Sequence, residues 1–324
     1  MIVTVTPNPS IDRTITLDSP LTRGAVHRVA SVSSEPGGKG VNVARALMLA
    51  GLDAVAVLPA PPGDPMLAEL DASDLRYRAI TGTAAVRTNI AVTESGGTTT
   101  KFNEPGGTLD PATLDALTDA VLDSAPRASW VVLSGSLPPG VPSRWYAGLV
   151  ALLAPLDCRV AVDTSDDPLA ALAGSFDRAA PDLIKPNADE LAGITGTSAA
   201  VLESAAAQGD PGPVVAAARQ LVDRGARAVL ATLGAAGAVL VDQTGSWLAT
   251  PPSIVPVSTV GAGDSSLAGY LLADVSGLTA PERLGMAVAY GSAAAALPGS
   301  ALPSPAQVDT DAVAIRPVSH QPAN

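Results

Sequence analysis

The stretch Thr259-Val260-Gly261-Ala262-Gly263-Asp264-Ser265-Ser266, followed by the helical run Leu267 to Asp274, places glycines at a helix start. Glycines there leave backbone N–H groups free to face an anion, and the helix dipole adds to that field. Such a nest suits a phosphoryl group in transfer. Asp264, in the first turn, would repel a phosphate in the ground state, which is tolerable where it instead accepts the proton of an attacking hydroxyl. The plainer alternative is an ordinary helix start with an acidic N-terminal residue.

A second cluster, Pro36-Gly37-Gly38-Lys39-Gly40-Val41-Asn42, opens a helix over Val43 to Ala50 that Gly51 stops. Its glycines permit close backbone approach, Lys39 can reach an anion, and Asn42 can hydrogen-bond hydroxyls from the same helix face. The third glycine of a dinucleotide fingerprint is replaced by Val43 and the Gly-Lys-Ser/Thr ending of a Walker loop is missing, so NAD and P-loop readings lose support. A third element is Lys185-Pro186-Asn187-Ala188-Asp189-Glu190. Asn187 and Glu190 are three apart, so at a helix start they either hold a hydrated Mg²⁺ near phosphates or close a capping box. A fourth, Thr232-Leu233-Gly234-Ala235-Ala236-Gly237, lies between two apolar strands and reads as a seat for a nucleotide or as a plain hairpin turn.

The elements that must position these residues follow from the hydrophobic pattern. Continuous apolar runs at 54–58, 130–134, 159–163, 182–185 and 228–233 alternate with alanine- and leucine-rich stretches. That rhythm predicts βαβ units around a parallel sheet buried on both faces. Asp110-Pro111 supplies a helix N-cap with proline at the first position, and Pro142 and Pro281 also suit helix starts. Residues 10–34 and 86–104 break the rhythm with alternating segments, Thr14-Ile15-Thr16-Leu17 and Thr88-Asn89-Ile90-Ala91-Val92, and read as antiparallel strands outside the main sheet. The expected fold is α/β and doubly wound: a mainly parallel sheet flanked by helices, with a small β-strand lid. The core spans about 1–9, 35–85 and 105–298, the lid about 10–34 and 86–104, and a mobile C-terminal segment 299–324. The 196–213 stretch reads as a loop or short helical insertion. Lid strands that alternate apolar and polar side chains leave one apolar face uncovered, which predicts a homodimer through the lid.

Composition narrows the function. The 324 residues are 47% apolar, enough for a sizeable core, and carry 19 basic against 31 acidic side chains, a formal net charge of −12. That balance argues against nucleic acid or an anionic membrane as partner, so any phosphate site must be local. One cysteine, Cys158, excludes an internal disulfide, and with only His27 and His320 beside it little remains for a zinc site or a His-based triad. The alternating start Met1-Ile2-Val3-Thr4-Val5-Thr6 has no secretory character, and the longest apolar stretch, around Ala287 to Leu297, is interrupted by Gly291 and Ser292. A cytoplasmic enzyme is the expectation.

Taken together in this order, the four elements resemble the PfkB family of ribokinase-like carbohydrate kinases up to about residue 298. Thr6-Pro7-Asn8-Pro9-Ser10-Ile11-Asp12, Arg87-Thr88-Asn89-Ile90, Asn103-Glu104-Pro105-Gly106 and Ser134-Gly135-Ser136-Leu137-Pro138 are similar to its 1-phosphofructokinase and tagatose-6-phosphate kinase branch. The resemblance implies transfer of the γ-phosphoryl group of ATP, with Mg²⁺, to a phosphorylated ketohexose. The foremost expectation is fructose 1-phosphate giving fructose 1,6-bisphosphate. Tagatose 6-phosphate or fructose 6-phosphate is the close alternative, and a catalytically idle sugar-phosphate sensor is the alternative of another class.

The resemblance also implies roles. Asp264 would be the base and the amides of Gly261, Ala262 and Gly263 the anion hole. Asp12, Gly37, Gly38, Lys39, Asn42 and Asn103 would hold the sugar and Arg87 its existing phosphate. Lys185, Asn187 and Glu190 would serve ATP and Mg²⁺, Glu190 through water, with Thr232, Gly234 and Gly237 along the nucleotide and Ser292, in a Gly291-Ser292-Ala293 turn, bordering adenine. Two positions depart from the branch: Ala91 stands where a lysine facing the sugar phosphate is frequent, and Ser10 where alanine is usual.

Overall fold

Strands with no polar face need cover on both sides, and the chain supplies it with two layers of helices. In the computed structural model, which describes residues 1–82 and 84–319, the strands are β1 (Ile2–Val5), β2 (Ser10–Thr16), β3 (Ser31–Gly37), β4 (Ala54–Pro59), β5 (Tyr77–Ile80), β6 (Arg87–Thr93), β7 (Thr99–Asn103), β8 (Trp130–Ser134), β9 (Arg159–Asp163), β10 (Leu183–Ile184), β11 (Ala228–Thr232), β12 (Ala238–Asp242), β13 (Gly245–Thr250) and β14 (Ala314–Pro317). The helices are α1 (Lys39–Leu49), α2 (Pro65–Ala72), α3 (Pro111–Ser124), α4 (Trp145–Leu153), α5 (Asp166–Ala173), α6 (Ala188–Thr195), α7 (Ala199–Ala207), α8 (Gly212–Asp223), α9 (Ala262–Val275) and α10 (Ala280–Ala295).

The main sheet has ten strands in the order β14-β13-β12-β11-β10-β9-β8-β1-β4-β5. From β5 to β11 the pairs are parallel, and β12, β13 and β14 continue the sheet antiparallel. Alternate residues feed two cores. Val3, Val131 and Val229 pack with α3 to α8, whereas Ile2, Trp130 and Leu230 pack with α1, α2, α9 and α10. The apolar runs read from the sequence become β4, β8, β9, β10 and β11.

The second sheet is four-stranded, β3-β2-β6-β7. Its outer pairs are antiparallel as expected, but the central pair β2–β6 is parallel, because the main-sheet units β4 and β5 with their helices intervene between the two strands. Other boundaries also shift. The helix after the second glycine cluster begins at Lys39, not Val43, since Gly38 at φ 101° turns β3 directly into α1; a Cβ there would meet Thr6 Cγ2 at 2.8 Å. Pro142 lies in the turn before α4, its carbonyl accepting from the Trp145 amide. The 196–213 stretch is mostly helical, as α7 and the start of α8. Within the C-terminal segment, Ala314–Pro317 forms β14 and pairs with β13, which joins it to the main sheet; residues 320–324, His320 among them, lie outside the described residues. Among the described residues no helix is long and apolar enough to cross a membrane.

One buried carboxylate ties the layers together. Asp274, at the C-terminal end of α9, accepts from Trp130 Nε1 on β8 at 2.8 Å and pairs with Arg283 of α10 at 3.0 Å and with Arg159 of β9, whose guanidinium lies 4.5 Å over the Trp130 ring. Removing one member of such a buried set leaves uncompensated charge. Asp274→Ala is therefore expected to lower unfolding free energy by about 3 kcal/mol, read as a drop in denaturant midpoint with an unchanged m-value.

Candidate active site

Parallel strands bring their C-terminal ends to one edge, and a cleft of about 630 Å³ opens there between the main sheet and the four-stranded sheet. From the main sheet come Asp163 at the end of β9, Lys185 and Asn187 after β10, and Thr232 at the end of β11. From α1 come Lys39 and Asn42, and from the start of α9 come Gly261, Gly263 and Asp264.

Asp264 is the third residue of α9 and 6% exposed. Gly261 caps the helix at φ 75°, a left-handed turn that suits glycine, and the first amides of α9 have no acceptor within the helix. The Ala262 amide is partly engaged, lying 3.5 Å from the Thr259 carbonyl. Asn42 Nδ2 donates to Asp264 Oδ2 at 2.9 Å, while its own Oδ1 is buried without a partner among the described residues. Burial, reinforced by the negative charge of Asp163, pushes the Asp264 carboxyl up to about 6, against the pull of Lys39, Asn42 and Lys185.

Asp163 carries no motif and was not singled out in the sequence, yet it organises the floor of the cleft. Its fully buried carboxylate meets Lys39 Nζ at 2.9 Å and Lys185 Nζ at 3.0 Å. Burial acts to raise the Asp163 pKa, but the two lysines overcome it and the net is a fall. For Lys39 burial acts downward and Asp163 and Asp264 reverse it, so the ammonium is held more firmly than usual.

On the small sheet, residues at every second position share one face. Asp12, Thr14, Asn89, Ala91, Lys101 and Asn103 all line the cleft, as does Arg87. Asp12 Oδ1 accepts from Ser10 Oγ at 2.8 Å and from Asn89 Nδ2 at 3.1 Å. Gly37 stays out of the cleft lining but makes room for that carboxylate: a Cβ on it would sit 2.3 Å from Asp12 Oδ2. Arg87 donates to the carbonyls of Glu104 at 2.8 Å and Asn8 at 3.3 Å, and its Nε is buried without a partner among the described residues. Burial draws the Arg87 pKa down, opposed by Asp12 and Glu104.

Asn187 and Glu190 form the capping box of α6, each backbone amide donating 2.8 Å to the other's side chain, and both line the cleft. The two readings of that pair therefore do not compete: the box fixes Glu190 Oε2 and leaves Oε1 for other duties. Burial raises the Glu190 pKa. Thr232 borders the cleft and also a second cavity beside it, which Gly234 lines. Gly237, at φ 99°, lines neither; it closes the β11–β12 hairpin, where a Cβ would lie 2.0 Å from the Ala249 carbonyl. Ser292 is likewise absent from both linings, and Gly291-Ser292-Ala293 is no turn but part of α10, its regular helix packed on α9.

The chain that carries this arrangement, a glycine-led helix start with a buried carboxylate opposite a sheet rich in polar and cationic groups, is similar to known proteins. The pattern of the pfkB family carbohydrate kinase matches residues 5–307. The chain belongs to that family. It is 38% identical to a 1-phosphofructokinase of Rhodobacter capsulatus, covering 94% of this chain and 93% of the relative, and 37% identical to a 1-phosphofructokinase of Xanthomonas campestris over 88% of each. The crystal structure of phosphofructokinase-2 from Escherichia coli in complex with substrates and products superposes with a TM-score of 0.85 at 30% identity, covering 96% of this chain and 97% of that one. As a family member the protein is a carbohydrate kinase, an enzyme that transfers a phosphoryl group to a sugar hydroxyl.

Proposed function

We propose that the protein phosphorylates fructose 1-phosphate at the expense of ATP, giving fructose 1,6-bisphosphate, as the names of its relatives suggest for those enzymes. The observation that supports the chemistry most directly is Asp264: a buried carboxylate with a raised pKa, held by Asn42 at the N-terminus of α9. It takes the proton of the attacking hydroxyl, while amides at the start of α9 meet charge on the transferring group. The orphaned Oδ1 of Asn42 is an acceptor for a sugar hydroxyl, and Asp12 takes others. Lys185, Asn187 and Thr232 lie where the ATP phosphates would run, and Glu190 would hold Mg²⁺ through water; the ion supplies neutralisation of phosphate charge. Gly261 and Gly263 line that end of the cleft, whereas Gly234 places its backbone on the adjoining cavity.

The acceptor's existing phosphate falls to the small sheet. Arg87 offers an unpartnered Nε–H. The cation missing at Ala91 is supplied from the next strand, since Ala91 and Lys101 are direct partners in the β6–β7 ladder and both face the cleft. Side chains directly opposite in a ladder have Cβ atoms only about 5 Å apart, so a long lysine on either strand can reach the same anion. With one end of the ketohexose anchored there, the other presents its hydroxyl to Asp264. The opposite face of this sheet carries Ile15, Val32, Val92 and Phe102, and Phe102 is 55% exposed. A second copy of the chain covering that face is the proposed homodimer. A small-molecule kinase of this kind works in the cytoplasm.

Asp264→Asn keeps size and hydrogen bonding but removes the base, so turnover should fall by roughly 10²- to 10⁴-fold with ATP affinity little changed. In the wild type kcat/KM should rise through a midpoint near pH 6 and level above it, because the protonated carboxyl cannot accept the hydroxyl proton. Near-normal turnover in Asp264→Asn would sink the mechanism.

The acceptor assignment is tested by kcat/KM for fructose 1-phosphate, fructose 6-phosphate and tagatose 6-phosphate. Fructose 1-phosphate should win, and Arg87→Ala and Lys101→Met should each cost about tenfold or more on it while sparing unphosphorylated fructose. A wild-type preference for a 6-phosphate overturns the assignment. For the dimer, light scattering should give twice the 32.1 kDa of one chain, and Phe102→Asp should return it to one. A single-chain mass for the wild type at all working concentrations refutes it.

A further inference from the structure

The carboxylate of Asp163 is wholly buried, and the only groups it meets among the described residues are two ammoniums, Lys39 at 2.9 Å and Lys185 at 3.0 Å. It caps no helix and closes no turn. Strand β9 needs no acid at its last position, and burying an ion pair contributes less to stability than apolar side chains of similar volume. The lysines arrive from opposite sides. Lys39 is the first residue of α1, which continues straight from β3 of the small sheet, and Lys185 follows β10 beside Asn187 and Glu190. Both also act electrostatically on Asp264, whose surroundings are Lys39 and Asn42 from α1, Asp163 from β9 and Lys185 after β10, with Glu190 of α6 acting on Lys39 in turn.

We propose that Asp163 is a positioning residue of the phosphoryl-transfer site: its single carboxylate clamps Lys39 and Lys185 and keeps both from collapsing onto Asp264. Two cations against one free carboxylate would form an ion pair with it and quench its basicity. With Asp163 in place each lysine is held by one of its oxygens, one at the sugar side and one at the nucleotide side, and Asp264 stays free to accept a proton. The clamp thereby couples the two halves of the cleft through one side chain. The inference rests on the reading of Asp264 as the base.

The experiment is the pH dependence of kcat/KM for the sugar phosphate at saturating MgATP in wild type and Asp163→Asn. The wild-type acid limb near pH 6 reports Asp264. In Asp163→Asn, loss of the like charge and release of two cations should move that limb down by about one pH unit or more, with the plateau at least about tenfold lower. A limb that stays in place while activity falls means a merely structural role and overturns the inference, leaving the base reading intact. A wild type without an acid limb removes the base reading, and the inference with it. Should Asp163→Asn not fold, Lys185→Met subtracts one clamped cation and leaves the carboxylate charged. The limb should then move up, and an unmoved limb again overturns the inference.

Discussion

Four ionisable groups meet at the carboxyl edge of the main sheet: Asp163, Asp264 and Lys185, all buried, and Lys39, whose side chain is partly exposed. Desolvation works against the charged forms of Asp163, Asp264 and Lys39, and opposite charges nearby offset it to different extents. Asp163 is drawn down by the lysines, Lys39 is held up by the carboxylates, and Asp264, with the least compensation, is left with the raised pKa. Asp264 is thus the group that the cluster satisfies least. Much of the architecture serves to hold these four charges at fixed separations.

Two features make that possible. Strands β8, β9 and β10 are apolar along their length, so polar groups are confined to their ends, where the sheet edge meets solvent and ligand. Helix α9 carries Asp264 at one end and Asp274 at the other, and the Trp130, Arg159 and Arg283 contacts to Asp274 pin the far end ten residues away. The buried ion set around Asp274 therefore fixes the helix whose other end bears Asp264. Packing between α9 and α10 adds to this: Gly291 lies so close to α9 that a Cβ would sit 2.2 Å from Ser266 Oγ.

The small sheet contributes a different kind of precision. Its two-residue period sends Asp12, Asn89, Lys101 and Asn103 to the cleft and the apolar side chains Ile15, Val92 and Phe102 to the other face. Because β3 passes into α1 through Gly38 with no intervening loop, the position of the sheet and the position of Lys39 and Asn42 are not independent. The polar face of the small sheet is thereby held in register with Asp264, which Asn42 of α1 contacts.

What the sequence by itself determined was whatever depends on near neighbours. The alternation of apolar runs and helical stretches is local, and it sufficed for the α/β class, the central strands, and two unusual segments outside the main sheet. The glycine nest before Asp264, the Asn187 and Glu190 capping box, and the Asp110 N-cap are likewise short-range devices readable as spacing. Long-range pairing decided the rest. The strand that partners Ala91 is set by the β6–β7 register, so the placement of Lys101 beside it is invisible until the ladder is formed. Asp163 is one aspartate among many at the end of an ordinary strand, and its ion pairs with Lys39, 124 residues away, and with Lys185 exist only in the folded chain. Gly237 and Ser292 show the same limit: spacing did not reveal that the first packs in a hairpin against Ala249 or that the second lies in helix α10 instead of a turn, because side-chain surroundings are fixed by which surfaces meet, not by order along the chain.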